Sequence, residues 1–319
     1  MNSKKLKYFL SALGAMIIWG TFSIPLRHIK TYSSEQILSY RTFISLLITW
    51  GITLLFRRKY IHADLAYLKT ESTIKRKKTL LLVLLAGFLL GVNWLSFIYA
   101  INHISLKSGA FAYMICPLIT AMGGFLILKE SLSKFKLIAI GIASISIWIS
   151  SLGSFEEVFW SIIIASSFAF YLITQRVLIK LDKLNLLSAQ LFIISLLILP
   201  SFLHQTQLIP TELHFWTTIV GISVVFTVIP LLLSSYALIG VPSSTFGIMI
   251  YINPIIAFIV AFAYFDEGIK KDQLYSYTLL LIAVIVFNWD VISTIFGNQK
   301  AKEPDTSASI DNTKITNPY

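Results

Sequence analysis

An arginine inside an apolar stretch is the side chain of this sequence with the clearest chemical use. Arg41 lies in the apolar run 34–56, at a depth of roughly 10 Å if the run is an α-helix rising about 1.5 Å per residue. A guanidinium at that depth in a membrane costs roughly a few kcal/mol or more unless it is paired or faces water. We therefore predict that Arg41 anchors an anionic or carboxylate group of a ligand. The alternative is a structural arginine that hydrogen-bonds backbone carbonyls or extends toward the interface.

Two prolines indicate where such a ligand would sit. Pro117 and Pro254 each lie near the middle of a long apolar run, where a proline removes a backbone donor and is expected to break the helix. The carbonyl that is freed is tolerated in lipid only next to other protein or a water-filled cavity. Two interrupted segments at matching positions of two halves indicate a transporter's binding site. We predict a midplane substrate site beside these prolines, with Asn253 in its wall.

Aromatic and amide side chains in the apolar runs could complete this site. Trp19, Asn93, Trp94, Tyr99 and Tyr113 lie in the first, third and fourth runs. An aromatic ring can stack on a flat or apolar ligand, and tryptophan and tyrosine can also donate one hydrogen bond. We predict that these five residues line the cavity, although helix packing is an equally favoured role for Trp19.

Residues for other chemistries are missing from the sequence. No Asp or Glu lies near the middle of an apolar run, so proton coupling through a buried carboxylate is less favoured than exchange or facilitated movement. The five histidines lack metal-ligand spacing, and no phosphate-binding glycine loop or hydrolase motif occurs. We expect no cofactor, no metal and no enzymatic activity. A multi-spanning membrane enzyme or a channel is the alternative.

The composition predicts an integral membrane protein. Hydrophobic residues make up 56% of the chain and charged residues 13%, against about 25% charged in a typical soluble domain, and the mean hydropathy is +0.78. The apolar runs are near the ~20 residues that a helix needs to cross a bilayer. We predict an all-α fold with ten transmembrane helices. Their approximate ranges are 7–27, 34–56, 79–101, 105–128, 137–152, 158–176, 187–203, 214–239, 243–265 and 274–293.

The basic residues predict the orientation of these helices. The net charge is +11, but lysine and arginine lie between the apolar runs. The connections predicted on the same side of the membrane as the N-terminus hold about four times as many of these residues as the connections on the opposite side. The largest group occupies a predicted basic loop at 57–78. We expect both termini to be cytoplasmic in a plasma or inner membrane. The expected partners are the lipid bilayer and a small-molecule substrate, and not nucleic acid.

The two halves of the chain share residues at one constant offset. Pro117 and Pro254 are as far apart as Glu130 and Glu267. Because five helices separate the copies, an odd number, we predict two inverted five-helix repeats. The predicted divisions are 1–152 for helices 1–5, 153–297 for helices 6–10 and 298–319 for a disordered cytoplasmic tail. We also predict that the two glutamates bind loop N–H groups or basic side chains.

One glycine pair bears on oligomeric state. Gly87 and Gly91 are spaced as Gly-x-x-x-Gly, which allows two helices to approach closely. Packing within one chain is the favoured interpretation. A homodimer that uses this face stays open as the alternative.

Short motifs along most of the chain resemble a known family. They are Trp19-Gly20, Glu35-Gln-Ile-Leu-Ser-Tyr-Arg41, Asn93-Trp-Leu-Ser-Phe-Ile-Tyr-Ala100, Pro117-Leu118, Ser167-Phe-Ala-Phe-Tyr171, Pro230-Leu-Leu232, Ser244-Thr-Phe-Gly247 and Tyr251-Ile-Asn-Pro254. In this order they resemble the drug/metabolite transporter superfamily with its EamA-type domains, and most of all the RarD-type permeases. The resemblance implies a ten-helix, five-plus-five inverted carrier with a central cavity. Such a carrier would move a small metabolite, amino acid or drug-like molecule by alternating access.

The sequence departs from the RarD-type pattern near the expected pocket. Tyr40, Ser108 and Cys116 stand where RarD-type proteins usually have histidine, glutamate and asparagine. These changes bear on the identity of the substrate and not on the fold. The resemblance therefore names no substrate.

Overall fold

The fold is helical throughout the part of the chain that the structure describes. This computed structural model describes residues 3–128, 132–178, 180–204, 209–237, 249–268, 271–289 and 293. Within them, eight helical spans are long and apolar enough to cross a membrane, and two shorter apolar helices follow at Ile252–Tyr264 and Leu274–Phe287. The prediction of an all-α, multi-pass membrane protein is confirmed. The inverted repeat of ten helices stays a prediction, and the tail from residue 298 lies outside the described residues.

The first half of the described chain contains seven α-helices. They are α1 (Ser3–Gly20), α2 (Ser23–His28), α3 (Ser34–Phe56), α4 (Arg58–Thr70), α5 (Thr73–Tyr99), α6 (Leu106–Leu128) and α7 (Lys134–Gly153). A π-helical turn, Ala100–Ile104, continues α5. Side-chain oxygens of Ser33 and Ser72 accept the N–H groups of Gln36 and Lys75, and these N-caps fix where α3 and α5 begin.

The second half of the described chain contains six α-helices. They are α8 (Phe155–Val177), α9 (Lys183–Leu203), α10 (Leu213–Ser223), α11 (Ile229–Ala237), α12 (Ile252–Ile259) and α13 (Lys271–Phe287). The π-helical turn Val224–Val228 joins α10 to α11, and a further one, Val260–Tyr264, continues α12. Asp182 caps α9 by accepting the N–H groups of Leu184 and Asn185.

The segment 57–78 is not the loop that the sequence suggested. Its residues form α4 and the first turns of α5. The apolar residues Ile61, Leu65 and Leu68 recur at the helical spacing i, i+4 and i+7. The many basic residues of the segment made this helical pattern hard to recognise in the sequence. Helix α5 therefore begins six residues before residue 79, the approximate predicted start of the third transmembrane helix.

The two prolines occupy different helical positions. Pro117 lies inside α6, which is continuous from Leu106 to Leu128, so the predicted break of that helix is wrong. The helix tolerates the lost hydrogen bond because packed neighbours and small adjustments can satisfy the freed carbonyl in a transmembrane helix. In the second half the helix is interrupted at Tyr251, and Pro254 lies in the first turn of α12. There a missing N–H costs nothing, because the first turn has no intrahelical acceptor.

Close helix contacts bring the candidate residues together. α6 packs against α8 and α12, α5 against α8 and α9, and α1 against α11 and α12. A Cβ added at Gly87 would lie 2.9 Å from Cβ of Ile193, and one at Gly91 would lie 3.4 Å from Cγ1 of Ile194. Both neighbours belong to α9, so the Gly-x-x-x-Gly face is used for packing within the chain, as the sequence favoured. A homodimer stays a prediction and would need another face.

Candidate functional site

A cavity of about 240 Å³ lies among α1, α3, α5, α6, α8, α11 and α12. Its wall contains six of the nine residues that the sequence predicted for the substrate site. They are Trp19, Arg41, Asn93, Trp94, Tyr113 and Asn253. The first five come from the first half of the chain and the last from the second half, so both halves contribute to one wall.

Three predicted residues do not line this cavity. Tyr99 packs against the rings of His103 and Trp160, at centroid distances of 4.8 and 4.6 Å. Pro117 follows the cavity residue Tyr113 by one helical turn, and Pro254 directly follows Asn253. The two prolines thus lie beside the cavity wall without forming part of it.

Arg41 is held between two aromatic rings. Only 4% of the residue is exposed, and its guanidinium carbon lies 4.0 Å from the ring centroid of Trp94 and 4.8 Å from that of Phe22. Its Nε donates a hydrogen bond of 3.0 Å to Oγ1 of Thr227. In a desolvated site a cation over an aromatic ring gains about 2 kcal/mol. These contacts orient the guanidinium but do not neutralise its charge.

The π-helical turn after α10 supplies the partner of Arg41. Thr227 Oγ1 donates to the carbonyl of Ile222, 3.1 Å away and five residues earlier, which leaves its lone pair for Arg41 Nε. Ser223 Oγ also lies 3.3 Å from the Arg41 carbonyl. π-Helical turns are often found at functional sites because they displace side chains from the regular helical register. Here the turn directs a hydroxyl at a buried cation.

The two asparagines of the wall differ in their partners. Asn93 Nδ2 donates to the carbonyl of Ile164 at 2.9 Å, so its amide ties α5 to α8. Asn253 is 8% exposed and its side-chain amide makes no hydrogen bond within the described ranges, whereas Asn93 Oδ1 is fully buried and has no partner there. A buried amide without a partner costs about 1–3 kcal/mol. Asn93 Oδ1 and the Asn253 amide are therefore the polar groups of the wall that a ligand or water could satisfy.

The electrostatic balance of the cavity is positive. Arg41 is the only charged side chain among the described residues of the wall, and no aspartate or glutamate faces it there. Arg41 also forms no ion pair within the part of the chain that the structure describes. An uncompensated buried cation is costly, so the cavity favours an anionic occupant.

Several wall residues were missed by the sequence prediction. Phe22, Phe168, Tyr171, Phe226 and Thr227 line the cavity. The rings of Tyr113 and Phe168 are 5.8 Å apart and perpendicular, and Phe168 stacks on Tyr171 at 5.7 Å. Phe168 and Tyr171 belong to a motif that the family resemblance had already singled out, and that motif was the available signal. Thr227 offered none, because a threonine in an apolar run commonly bonds its own helix.

A second polar group lies away from the cavity, at the predicted outer end of the helices. Oε1 of Glu267 accepts hydrogen bonds from Nη2 of Arg27 at 2.9 Å and from the backbone N–H of Leu106 at 3.1 Å. Arg27 Nε donates to the carbonyl of Ile101 at 2.9 Å. The predicted role of Glu267, binding an N–H group and a basic side chain, is confirmed. Glu130 lies outside the described residues. Within the described ranges, no three His, Cys, Asp or Glu side chains converge as metal ligands would.

Residues 6–152 and 156–289 match the sequence profile of the EamA-like transporter family. "Protein RarD" of Escherichia coli (strain K12) is 25% identical over 89% of this chain and 95% of its own length. An "Uncharacterized transporter" of Vibrio cholerae is 26% identical over 93% of this chain and 96% of its own length. One solved crystal structure, 10% identical, superposes with a TM-score of 0.59 over 93% of this chain and 99% of the other, which is evidence for the fold alone.

Proposed function

Because the chain belongs to the EamA-like transporter family and is similar to RarD-type proteins, we propose that its central cavity is the substrate site of a secondary transporter. The substrate we propose is a small metabolite, amino acid or drug-like molecule with a negative group. One observation carries this proposal: Arg41 is buried in the cavity wall without an ion-pair partner among the described residues. A carboxylate would offset the cost of burying its charge.

The size and lining of the cavity support a small, partly apolar substrate. Its volume of about 240 Å³ lies just under the ~300–1,000 Å³ of typical drug-sized ligand sites. Trp19, Trp94 and Tyr113 contribute aromatic surface, on which a flat or apolar ligand body can pack. The Asn253 amide, which makes no hydrogen bond within the described residues, is available for a second polar contact. The substrate class that fits best has one anionic group on a compact apolar body.

The transport mechanism we propose is alternating access. Arg41 on α3 and Asn253 on α12 belong to different predicted repeats and line the same cavity, so a ligand bound to both would join the two bundles. Rocking of one bundle against the other around such a site is how many transporters with internal repeats work. We place the protein in a plasma or inner membrane with both termini cytoplasmic, on the distribution of basic residues.

The test is ligand binding by the purified protein and its Arg41 variants. A ligand that binds only the folded state raises the melting temperature by mass action. We would screen amino acids, organic anions, nucleotides, sugars and drugs against the detergent-purified protein. For an anionic ligand that shifts the wild type, we expect Arg41→Ala to weaken binding about 10- to 100-fold, the value of a charge-assisted hydrogen bond. Arg41→Lys should retain part of it.

Arg57→Gln is the matched control for this test. Arg57 also forms a contact that is partly shielded from water, a 2.6 Å ion pair with Asp182, but it does not line the cavity. Its loss should lower the melting temperature and leave the ligand-induced shift unchanged. Full binding and transport by both Arg41→Ala and Arg41→Lys would exclude Arg41 from the site.

Flux measurements separate this proposal from a channel or a membrane enzyme. In proteoliposomes, an alternating-access carrier should show saturable uptake that unlabelled substrate on the opposite side accelerates. A channel would show neither saturation at low concentration nor such acceleration, and an enzyme would release a chemically changed product. Uptake without a pH change in the vesicle lumen would agree with exchange or facilitated movement.

A further inference from the structure

A second cavity lies outside the proposed substrate site, in a groove between α3, α4 and α9. Its volume is about 490 Å³. Trp50 of α3 and Phe192 of α9 form one wall, with ring centroids 5.4 Å apart, and Ile61 and Leu65 of α4 form the other. Trp50, Leu65 and Phe192 are each 39% to 50% exposed. The groove is therefore an apolar cleft with one broad open side.

Helix α4 borders this groove without packing closely into the bundle. None of its residues is buried. It is held by polar contacts of Asp64, whose carboxylate accepts the backbone N–H of Asp182 at 3.0 Å and Nδ2 of Asn185 at 2.7 Å. The adjoining ion pair of Arg57 with Asp182 adds a third tie. Because empty apolar space forfeits dispersion contacts, an apolar guest in this cleft would stabilise the position of α4.

The charge beside the groove is strongly positive. Arg58, Lys59, Lys69, Arg76, Lys77 and Lys78 are exposed on α4 and the start of α5 and form no ion pair within the described ranges. The two acidic residues of this segment already have partners. Asp64 accepts hydrogen bonds from Asp182 and Asn185, and Glu71 forms ion pairs with Lys75 and Lys180. A cluster of this size on an amphipathic helix next to a transmembrane helix attracts anionic lipid headgroups.

The basic side chains and the groove are directly connected. Arg58 Nε donates to the carbonyl of Leu54, a residue of the groove wall, which brings the guanidinium to the rim. Arg58 and Lys69 also share a helical face with Leu65, at spacings of seven and four residues. Thr53 of the wall is 4% exposed and its hydroxyl has no partner in the described chain. The groove thus combines mainly apolar walls, one unsatisfied hydroxyl and a cationic rim, and the one carboxylate in its described lining, Asp64, is already bonded to Asp182 and Asn185.

We propose that this groove binds an anionic phospholipid from the leaflet next to α4. One acyl chain occupies the cleft between Trp50, Leu65 and Phe192, the ester and glycerol region lies near Thr53, and the phosphate contacts the basic face of α4 with Arg58 first. The bound lipid completes the packing of α4 and so couples lipid composition to the stability of this end of the bundle. This site is independent of the substrate cavity.

The experiment compares an anionic and a zwitterionic phospholipid that have the same acyl chains. The full chain in detergent is mixed with phosphatidylglycerol or phosphatidylcholine of the same acyl composition, and bound lipid is counted by native mass spectrometry alongside the melting temperature. Phosphatidylglycerol should bind more tightly and raise the melting temperature further. Arg58→Gln with Lys69→Gln should weaken its binding roughly fivefold for each charge removed. Glycerol 3-phosphate, which lacks acyl chains, should produce no shift.

Two pairs of variants keep the outcome decisive. Ala189→Phe fills the groove and should remove the bound lipid, whereas Ala66→Phe on the exposed part of α4 outside the groove should not. Lys134→Gln with Lys136→Gln removes the same charge at the start of α7 and should leave binding unchanged. Equal binding of both lipids, an equal loss in the α7 variant, or an equal shift with glycerol 3-phosphate would each overturn the proposal.

Discussion

At the scale of single residues, Arg41 depends on its partners for its orientation. Its Nε is bound by Thr227, and its flat faces are covered by Trp94 and Phe22. These three contacts leave the two Nη groups for a ligand. A planar guanidinium held in this way presents a fixed pair of donors, which suits a carboxylate better than the point charge of a lysine does.

We predict that Thr227→Val weakens substrate binding without unfolding the protein. The variant keeps the shape of the side chain but removes the acceptor of Arg41 Nε, so the guanidinium loses its orientation. A hydrogen bond to a charged group contributes about 1.5–3 kcal/mol, so the apparent substrate affinity in uptake assays should fall roughly 10-fold or more.

Thr217→Val is the matched control. Thr217 lies on α10, which leads into the π-helical turn of Thr227, is exposed, and bonds only carbonyls of its own helix, those of Leu213 and His214. The substrate affinity of the Thr217→Val protein should equal that of the wild type. If the two valine variants behave alike, Thr227 does not position Arg41.

The sequence could identify Arg41, Trp94 and Asn253 as site candidates because each has a side chain that is costly or unusual in lipid. It could not identify Phe22 or Thr227. A phenylalanine or threonine in an apolar run can face lipid, another helix or a cavity, and only the packing of the turn after α1 and of the π-helical turn after α10 decides among these. The same ambiguity explains Tyr99, whose ring packs on Trp160 away from the cavity.

At the scale of elements, the wall of the cavity depends on how closely α1 approaches α12. A Cβ built on Gly20 would lie 2.6 Å from Cβ of Ile256 and 3.2 Å from the carbonyl oxygen of Asn253. Such distances are shorter than van der Waals contact, so only glycine permits this crossing. The approach also sets the position of Asn253 in the cavity wall.

We predict that Gly20→Ala destabilises the protein and impairs transport. The added methyl group forces α1 away from α12, and overpacking of this kind costs about 1–3 kcal/mol. The measurement is thermal unfolding in detergent, with uptake measured in parallel.

Gly51→Ala provides the comparison, because a Cβ at Gly51 in α3 would meet no atom within 4 Å. It should leave stability unchanged or raise it by up to about 1 kcal/mol through helix propensity. Equal melting temperatures for both alanine variants would contradict the close approach at Gly20.

At the scale of the whole molecule, one ionic group connects distant parts of the chain. Glu267 precedes α13 and binds Arg27 of α2 together with the first N–H of α6. Lys107 Nζ donates to the carbonyl of Gly268 at 2.8 Å, which adds a contact between the same regions. This group therefore joins the two predicted repeats at one end of the bundle.

We predict that Glu267→Gln loosens this end and makes the cavity more accessible. The probe is a cysteine introduced at the cavity residue Ser234 in a Cys116→Ala background, since Cys116 is the only cysteine. A polar maleimide should label the purified Glu267→Gln protein several-fold faster than the parent.

Glu212→Gln is the control for this experiment. Glu212 is a carboxylate that accepts a hydrogen bond from the hydroxyl of Tyr32 at an exposed position. Its labelling rate should match that of the parent. Unchanged labelling in Glu267→Gln, or the same increase in both variants, would show that Glu267 does not hold this end closed.

The sequence determined that this chain crosses a membrane many times and belongs among transporters, because apolar runs near the thickness of a bilayer and ordered motifs are local properties. It also located Arg41, Trp94 and Asn253 as residues that need an unusual environment. Only the tertiary structure decided that these three share one cavity, that Pro117 leaves α6 intact, and that residues 58–70 form a helix beside a groove. Those outcomes depend on contacts between residues far apart in the chain, such as Arg41 with Thr227 and Asp64 with Asn185. The energies of such contacts cannot be inferred from a local sequence pattern.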